Sequence, residues 1–386
     1  MRIRPDSFAF TVLIGALVGL PPLSIDMGLP ALSQLQPALG ATPTQAALTL
    51  SFFMAGFALA QIVLGPLSDR IGRRPVLLWA MALYTLAGAA CAAAASIEML
   101  LACRFAQGAG AAGGVVLAFA IVRDLFEGNA ARIRLSTISM VFSLAPVIAP
   151  TLGGWMLALG GWRAIYATLT MTGLILTLAV AMGLPESRSA APCAPYTAVL
   201  RQRRTVGYGV VGALNLGSIF AFVAASPLVL LDTMHLSTAQ FGLVFGVITA
   251  GIIAGAWVNG WLVKRGVSPG LPLGGGLVLS AVAAIAGTVL AALGHLDLLV
   301  LVPLLVASTF CRGLVSPNIT HLALERVPDM AGAASALTGS LQMFSGALSG
   351  LIVGLMFAAF GPGGMCATMA AFAVPSVAAW LVIRRR

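Results

Sequence analysis

Charged residues are scarce in this chain. Only 8% of its 386 residues are Asp, Glu, Lys or Arg, whereas 60% are hydrophobic and the mean hydropathy is +1.02. A single globular core of this length could not enclose so much apolar surface. The composition therefore excludes a soluble protein and predicts an all-α integral membrane protein whose solvent is the lipid bilayer.

Residue types that build catalytic and metal sites are also few. The three histidines are scattered, and the five cysteines show no metal-like spacing, so we interpret the cysteines as packing residues. We find no Ser/His/Asp constellation and no glycine-rich loop that would cradle a phosphate. These absences predict a protein that is not an enzyme, with no cofactor and no metal, and they favour an ion gradient over ATP as its energy source.

Long apolar runs are abundant instead. A spanning helix needs about 20 apolar residues, and about twelve such runs follow one another: 8–32, 45–67, 75–95, 97–122, 135–158, 162–184, 207–231, 239–263, 271–293, 296–320, 331–358 and 363–383. The longest polar interruption, 185–206, separates six runs from six. We therefore predict an N-terminal bundle (1–184), a cytoplasmic linker (185–206) and a C-terminal bundle (207–386).

A weak internal repeat supports this division. Residues 260–266 follow the eighth run much as residues 65–70 follow the second. Two six-helix halves with matching loops are typical of an alternating-access transporter, in which the substrate cavity lies between the halves.

The basic residues are distributed unevenly. When loops are assigned alternately to the two sides of the membrane, 18 of the 21 basic residues fall on one side. The positive-inside rule then places both termini in the cytoplasm of a bacterial inner-membrane protein. Topology thus explains the net charge of +10 and leaves no surplus for a nucleic-acid site. The first run lacks a small-residue cleavage site, so we interpret it as a retained span.

Two ionisable residues stand out inside the apolar runs. Asp26 in the first run and Arg104 in the fourth each lie about 9 Å from the outer helix end, so they could meet. A charge in lipid costs about 2.5–3.5 kcal/mol, which makes both residues functional candidates. Pro21 and Pro22 are expected to break the helix before Asp26. The alternatives are a helix cap for Asp26 and a tie to backbone carbonyls for Arg104.

A large apolar cavity with few polar contacts is the expected substrate site. Arg312 in the tenth run is a weaker ionisable candidate than Asp26. The residues that position suggests for the lining are Phe53, Met54, Phe57, Gln61, Gln107, Phe142, Asn215, Phe220, Phe222 and Arg312.

Two further stretches have a clear physical reading. Residues 65–74 are charge-dense, and Gly65 and Gly72 would let two helix ends approach in a tight cytoplasmic loop. In the fifth run, two prolines and a glycine pair predict a bent, closely packed helix that could seal one side of a cavity. These four residues are Pro146, Pro150, Gly153 and Gly154.

These motifs resemble those of known transporters. The loop pattern G-x-L-x-D-R-x-G-R-R at 65–74 resembles the loop between helices 2 and 3 of the major facilitator superfamily. The pattern A-P-x-x-A-P-x-x-G-G at 145–154 is similar to the antiporter motif of twelve-span drug:proton exporters. Further segments resemble the Bcr/CflA (bicyclomycin/chloramphenicol-resistance) family, namely 26–32, 104–112, 120–124, 225–227 and 241–243.

The resemblance implies a role for each matching residue. Asp26 would be the protonatable, substrate-sensing acid, and Arg104 would be linked to proton transfer. Asp69 would pair with a basic neighbour such as Arg123 and with the start of the eleventh helix. The implied gating loop comprises Gly65, Asp69, Arg70, Gly72, Arg73, Arg74, Arg123 and Asp124, and the implied antiporter motif comprises Pro146, Pro150, Gly153 and Gly154.

The resemblance also implies a major-facilitator fold and a function. It implies a monomeric, proton-coupled exporter of small hydrophobic or amphipathic compounds, with multidrug efflux and antibiotic resistance as its expected roles. Gly28 and Phe119 depart from the family pattern and leave the substrate and the proton number open. The alternatives are proton-coupled uptake, metabolite export, a non-transporting receptor or scaffold, and a membrane-embedded enzyme.

The predicted topology can be tested with reporter fusions. Fusions after Gly266 are expected on the cytoplasmic side, so green fluorescent protein fluoresces there and alkaline phosphatase stays inactive. Fusions after His295 are expected to give the opposite pair of signals. The same reporter being active at both positions would contradict the topology.

Overall fold

The computed structural model describes residues 3–126, 128–187, 195–327 and 330–385. Within these ranges the chain forms α-helices and no β-strand, which confirms the all-α class. The helices are α1 (Phe8–Asp26), α2 (Leu32–Leu39), α3 (Pro43–Ile71), α4 (Arg73–Ala92), α5 (Ile97–Leu125), α6 (Gly128–Gly183), α7 (Tyr196–Leu200), α8 (Arg203–Pro227), α9 (Thr238–Lys264), α10 (Gly270–Ala292), α11 (Leu298–Leu324), α12 (Ala331–Phe360) and α13 (Pro362–Arg384). A 3₁₀ turn (Leu29–Ala31) joins α1 to α2, and a π-helical turn (Leu228–Thr233) continues α8.

Eleven segments of the described chain are long and apolar enough to cross a bilayer. One of them, Met140–Gly183, contains 44 residues. At 1.5 Å per residue it would span about 66 Å, roughly twice the hydrocarbon core. Gly160 and Gly161 interrupt it with non-helical dihedral angles, and Gly161 has a φ of 68°. The segment therefore supplies two crossings, and the predicted number of about twelve spans is confirmed.

The chain forms two compact units. One contains Met1–Gln34 and Phe52–Cys193, and the other contains Leu35–Ser51 and Ala194–Arg386. We call them the N-terminal and the C-terminal unit.

Part of the predicted linker is helical. Within 185–206, α7 forms a short helix and α8 begins at Arg203, before the predicted start of the seventh span. Linker residues 188–194 lie outside the described residues, as do the basic residues Arg2 and Arg386.

Close backbone contacts organise the N-terminal unit around α5. A Cβ atom on Gly108 would overlap the backbone carbonyl of Phe53 in α3, and one on Gly114 would lie 2.9 Å from the carbonyl of Leu17 in α1. Only glycine permits such approaches. They bring the middle of α5 against both α3 and α1.

A similar crossing joins α9 and α11 in the C-terminal unit. A Cβ atom on Gly255 would overlap the carbonyl of Phe310, and Gly313 lies against the same crossing. Beside it, the Asn318 amide donates to Asn259 Oδ1 at 2.6 Å. Neutral amides thus tie these two helices together inside the unit.

The predicted break before Asp26 is wrong. The helix α1 continues through Pro21 and Pro22 and ends at Asp26. A proline removes one backbone donor, and a membrane helix tolerates this where neighbouring groups satisfy the freed carbonyls. The carbonyls freed here are those of Leu17 and Val18, each four positions before a proline.

The predicted loop at 65–74 is shorter than expected. Gly65 lies inside α3, which continues to Ile71, and α4 begins at Arg73. Gly72 alone makes the turn, with a φ of 117° that favours glycine. The loop is therefore a single residue, because a glycine in this conformation reverses the chain without further residues.

Candidate functional site

The candidate site of the N-terminal unit lies where α1 ends. The side chain of Asp26, the last residue of α1, is only 5% exposed. Among the described residues it has no ion-pair or hydrogen-bond partner. An ionised carboxylate in such a place is costly, whereas a protonated one is far less so. The surroundings of Asp26 therefore suit a group that binds and releases a proton.

Arg104 satisfies the open end of α1. It is 1% exposed, its Nη1 donates to Gln107 Oε1 at 2.7 Å, and its Nη2 donates to the Ser24 carbonyl at 3.0 Å. Ser24 belongs to the last turn of α1, where carbonyls lose their intrahelical donors because the helix stops. The guanidinium thus replaces donors that the ended helix cannot supply.

Asp26 and Arg104, which the sequence predicts could meet, form no ion pair or hydrogen bond with each other in the described part of the chain. Arg104 binds the carbonyl of Ser24, two residues before Asp26. The two side chains therefore lie at similar depth. Arg104 therefore binds a backbone carbonyl, which is the alternative that the sequence left open for this residue.

Two aromatic rings pack against the Arg104 guanidinium. Its central carbon lies 4.4 Å from the centroid of the Phe53 ring and 5.6 Å from that of Tyr166. Desolvated contacts of this kind are worth about 2 kcal/mol. Phe53, predicted as a cavity residue, therefore contacts Arg104 directly.

Tyr84 belongs to the same buried cluster and was missed by sequence reasoning. Its hydroxyl lies 2.7 Å from Ser24 Oγ, and the Cys91 thiol donates to Gln107 Oε1 at 3.9 Å. A tyrosine in mid-span has a hydroxyl that needs a partner, and this was the available signal. Its partner lies 60 positions away, which no local pattern reveals.

The antiporter-motif residues lie in the first crossing of α6. Pro146 and Pro150 are both inside the helix, and Gly153 is buried while Gly154 is half-buried. A Cβ atom on Gly153 would overlap the backbone of Met27, the residue after Asp26. The motif therefore packs directly against the end of α1 that carries the candidate acid.

An ion-pair cluster lies where α3 ends and α4 begins in the N-terminal unit. Arg73 forms ion pairs with Asp69 and with Asp124, whose Oδ2 lies 2.9 Å from Arg73 Nε. Arg73 Nη1 also donates to Ser68 Oγ at 2.6 Å. One arginine therefore joins the end of α3 to the end of α5.

Asp69 pairs with a basic neighbour, as the resemblance implies, and that neighbour is Arg73. Arg123, the suggested partner, donates from Nε to the carbonyl of Phe119 at 3.3 Å, while Arg70 is exposed. The implied contact of Asp69 with the eleventh helix stays a prediction.

Glu186, which follows α6, caps α4 and was also missed. Its Oε1 accepts hydrogen bonds from the backbone N–H groups of Arg73 at 2.7 Å and Arg74 at 3.4 Å. A carboxylate at a helix N-terminus satisfies free donors and complements the helix dipole. Arg74 in turn donates to the carbonyl of Ala181 in α6 at 2.5 Å. The start of α4 is thus fixed to the end of α6.

Arg312 is the ionisable residue inside the C-terminal unit. Its Nη1 donates to Asn215 Oδ1 and its Nη2 donates to Gln342 Oε1, each at 3.0 Å. These bonds join α8, α11 and α12. Asn215 and Arg312, both predicted as cavity residues, therefore contact each other.

The remaining predicted cavity residues in the N-terminal unit differ in exposure. Phe57 is buried, and Gln61 is half-buried with an Oε1 atom that has no partner among the described residues. Phe142 is 37% exposed. No group of three or more His, Cys, Asp or Glu side chains within the described ranges could hold a metal ion.

We expect Gly153→Ala to lower the free energy of unfolding by about 1–3 kcal/mol, because the added methyl group overlaps the Met27 backbone. The better helix propensity of alanine, about 1 kcal/mol, offsets only part of this. The thermal midpoint of the purified protein in detergent measures the effect. Gly15→Ala is the matched control at the same helix pair, since its Cβ atom would lie 3.5 Å from Val141. Equal midpoints for the two variants would refute the close contact.

We expect Glu186→Ala to speed amide exchange in the first turn of α4 by about fivefold or more, because a cap contributes about 1 kcal/mol. Hydrogen–deuterium exchange of peptides covering 72–78 measures this. Glu98→Ala, at an exposed acid in the first turn of α5, is the control and should leave those peptides unchanged. Unchanged exchange in Glu186→Ala would show that the carboxylate does not cap α4.

Comparisons with known proteins agree with this architecture. The Major Facilitator Superfamily profile matches residues 16–350. The chain is 30% identical to the bicyclomycin resistance protein homolog of Haemophilus influenzae, over all of this chain and 98% of that protein. It is 32% identical to the multidrug resistance protein MdtL of Escherichia coli, over 63% of each chain.

A solved structure shows the same fold. The crystal structure of a D-xylose-proton symporter matches with a TM-score of 0.74 and 16% identity, over 98% of this chain and 97% of that one. The resemblance to the Bcr/CflA proteins is confirmed by the bicyclomycin-resistance relative. This multi-pass membrane protein therefore belongs to the Major Facilitator Superfamily and is a transporter, not an enzyme.

Proposed function

We propose that this protein exports small hydrophobic or amphipathic compounds across the bacterial inner membrane in exchange for protons, by alternating access. The relatives named for bicyclomycin and multidrug resistance support a drug-like cargo. The observation that carries the proposal is the buried carboxyl of Asp26 at the end of α1, which has no partner among the described residues.

Asp26 would couple the proton to the cargo. A charged carboxylate sealed from water costs about 2.5–3.5 kcal/mol even on lenient scales. Asp26 is therefore protonated while its surroundings are dry and releases the proton when they open to water. Arg104 remains charged and keeps the end of α1 in place through the Ser24 carbonyl.

The antiporter motif would limit leak. Gly153 lies against the Met27 backbone, which restricts the space beside Asp26. Close packing of this kind excludes water, so a proton can reach the carboxyl only by the path that the transport cycle opens.

The ion pairs at Arg73 would act as a latch. The side chains are largely buried, with 8% exposure for Arg73 and 12% for each aspartate, so the latch would open only when the surrounding helix ends separate. We further propose a monomer with cytoplasmic termini.

Transport in inverted vesicles tests the proposal. We expect native vesicles to accumulate the fluorescent hydrophobic dye Hoechst 33342 only when their lumen is acidic. For Asp26→Asn we expect accumulation to fall by roughly tenfold or more, because the amide cannot release a proton.

Glu98→Gln is the matched control, because Glu98 is an exposed acid of the same unit. Its transport should equal that of the native chain. Gradient-independent movement, or an Asp26→Asn variant that matches the native chain, would refute the coupling role. Extrusion from the acidic lumen would identify an uptake transporter instead.

A further inference from the structure

Arg312 places a guanidinium in the middle of the C-terminal unit. It lies in the interior of α11 (Leu298–Leu324) and is half-buried. An arginine keeps its charge even when it is buried. The C-terminal unit therefore holds a permanent positive charge in the interior of a helix. The residues around Arg312 determine whether that charge is neutralised.

The protein neighbours of Arg312 are neutral. Asn215 Oδ1 and Gln342 Oε1 each accept one hydrogen bond at 3.0 Å. A guanidinium has five N–H donors, and no ion pair of Arg312 occurs in the described part of the chain. Two amides thus orient the guanidinium without neutralising it.

The acidic residues of the C-terminal unit are far from Arg312 along the helices. Asp297 caps the start of α11, 15 positions earlier, which is about 22 Å of helix. Glu325 follows the end of α11, 13 positions later, which is about 20 Å. Asp232 lies 17 positions beyond Asn215, about 25 Å along α8 and its π-helical turn. The remaining acid of the unit, Asp329, lies outside the described residues.

A tie between helices would not require this charge. In the same unit, Asn318 and Asn259 join α11 to α9 through a neutral hydrogen bond of 2.6 Å. Replacing Arg312 by a neutral amide would keep such a tie and remove a charge that costs about 2.5–3.5 kcal/mol in lipid. The charge therefore points to a ligand.

The amides hold the guanidinium in a fixed direction. Gln342 comes from α12 and Asn215 from α8, and Gly212 of α8 lies beside the Gln342 amide. A Cβ atom on Gly212 would lie 3.5 Å from Gln342 Cδ. A guanidinium oriented on one side by two acceptors presents its other N–H groups as a planar fork.

We propose that Arg312, positioned by Asn215 and Gln342, binds the anionic group of an amphipathic organic acid that this transporter carries. This inference rests on the proposed function and names a substrate class for it. A carboxylate matches the fork in shape and supplies the missing negative charge. The apolar part of the acid would bind the surrounding helices.

Ligand binding to the purified protein tests this without any proton gradient. The probes are 2-naphthoate and decanoate, each compared with its methyl ester, which keeps the apolar part and removes the charge. We expect both acids to raise the thermal midpoint of the native chain in a saturable way, while the esters do not. Sodium chloride at equal ionic strength is included, because an inorganic anion carries the same charge.

Variants locate the site. We expect Arg312→Gln to weaken binding of the acids by roughly tenfold or more and Arg312→Lys to weaken it less, because lysine keeps the charge but loses the fork. Arg265→Gln is the control, since Arg265 is an exposed arginine of the same unit that lies over the Trp261 ring. It should bind the acids like the native chain.

Several results would overturn the proposal. These are equal stabilisation by acids and esters, stabilisation by neither acid, native-like binding in Arg312→Gln, or an equal effect of chloride alone, which would identify an inorganic anion site. Acid and ester are compared on the native chain, so the first two results do not depend on whether a variant folds.

Failure of the proposed function gives a different pattern. If the acids bind through Arg312 but Asp26→Asn transports normally, the proton coupling is wrong and the substrate class stands. If Asp26→Asn abolishes gradient-driven dye transport while the acids do not bind, the proton coupling stands and the proposed substrate class is wrong.

Discussion

The hydrogen bond from Arg104 to the Ser24 carbonyl is the contact on which the N-terminal unit depends. A helix that ends inside a membrane leaves carbonyls that water cannot satisfy. Arg104 supplies a donor there. The ring of Phe53 in α3 packs against the guanidinium, and Gly108 lets α5 approach α3 closely. The end of α1 leaves a carbonyl without a donor, and the buried guanidinium of Arg104 needs an acceptor. The hydrogen bond between them therefore satisfies both groups.

Charge is used in two different ways in this molecule. In the cluster at the start of α4, Arg73 is balanced by the carboxylates of Asp69 and Asp124. In the C-terminal unit, Arg312 is held by the neutral amides of Asn215 and Gln342. A balanced cation has no charge left for a ligand, whereas an oriented cation with no carboxylate partner among the described residues retains its capacity to bind an anion.

Hydropathy predicted the spans well because each crossing must hide its backbone inside a long apolar helix. The same reasoning failed at Gly65 and before Asp26, since a single glycine or proline does not decide whether a membrane helix continues. It also missed Tyr84 and Glu186, whose partners lie 60 and 113 positions away. Residue types thus identified candidates, but their partners follow from packing that only the folded chain displays.

The one-residue turn at Gly72 also has a consequence for biosynthesis. Only one residue connects α3 to α4, so α4 cannot remain in water while α3 inserts into the bilayer. The arginines around the turn resist crossing the apolar core, so they stay on the side where they were made. The two helices are therefore expected to enter the membrane together as a helical hairpin whose basic tip does not cross the apolar core.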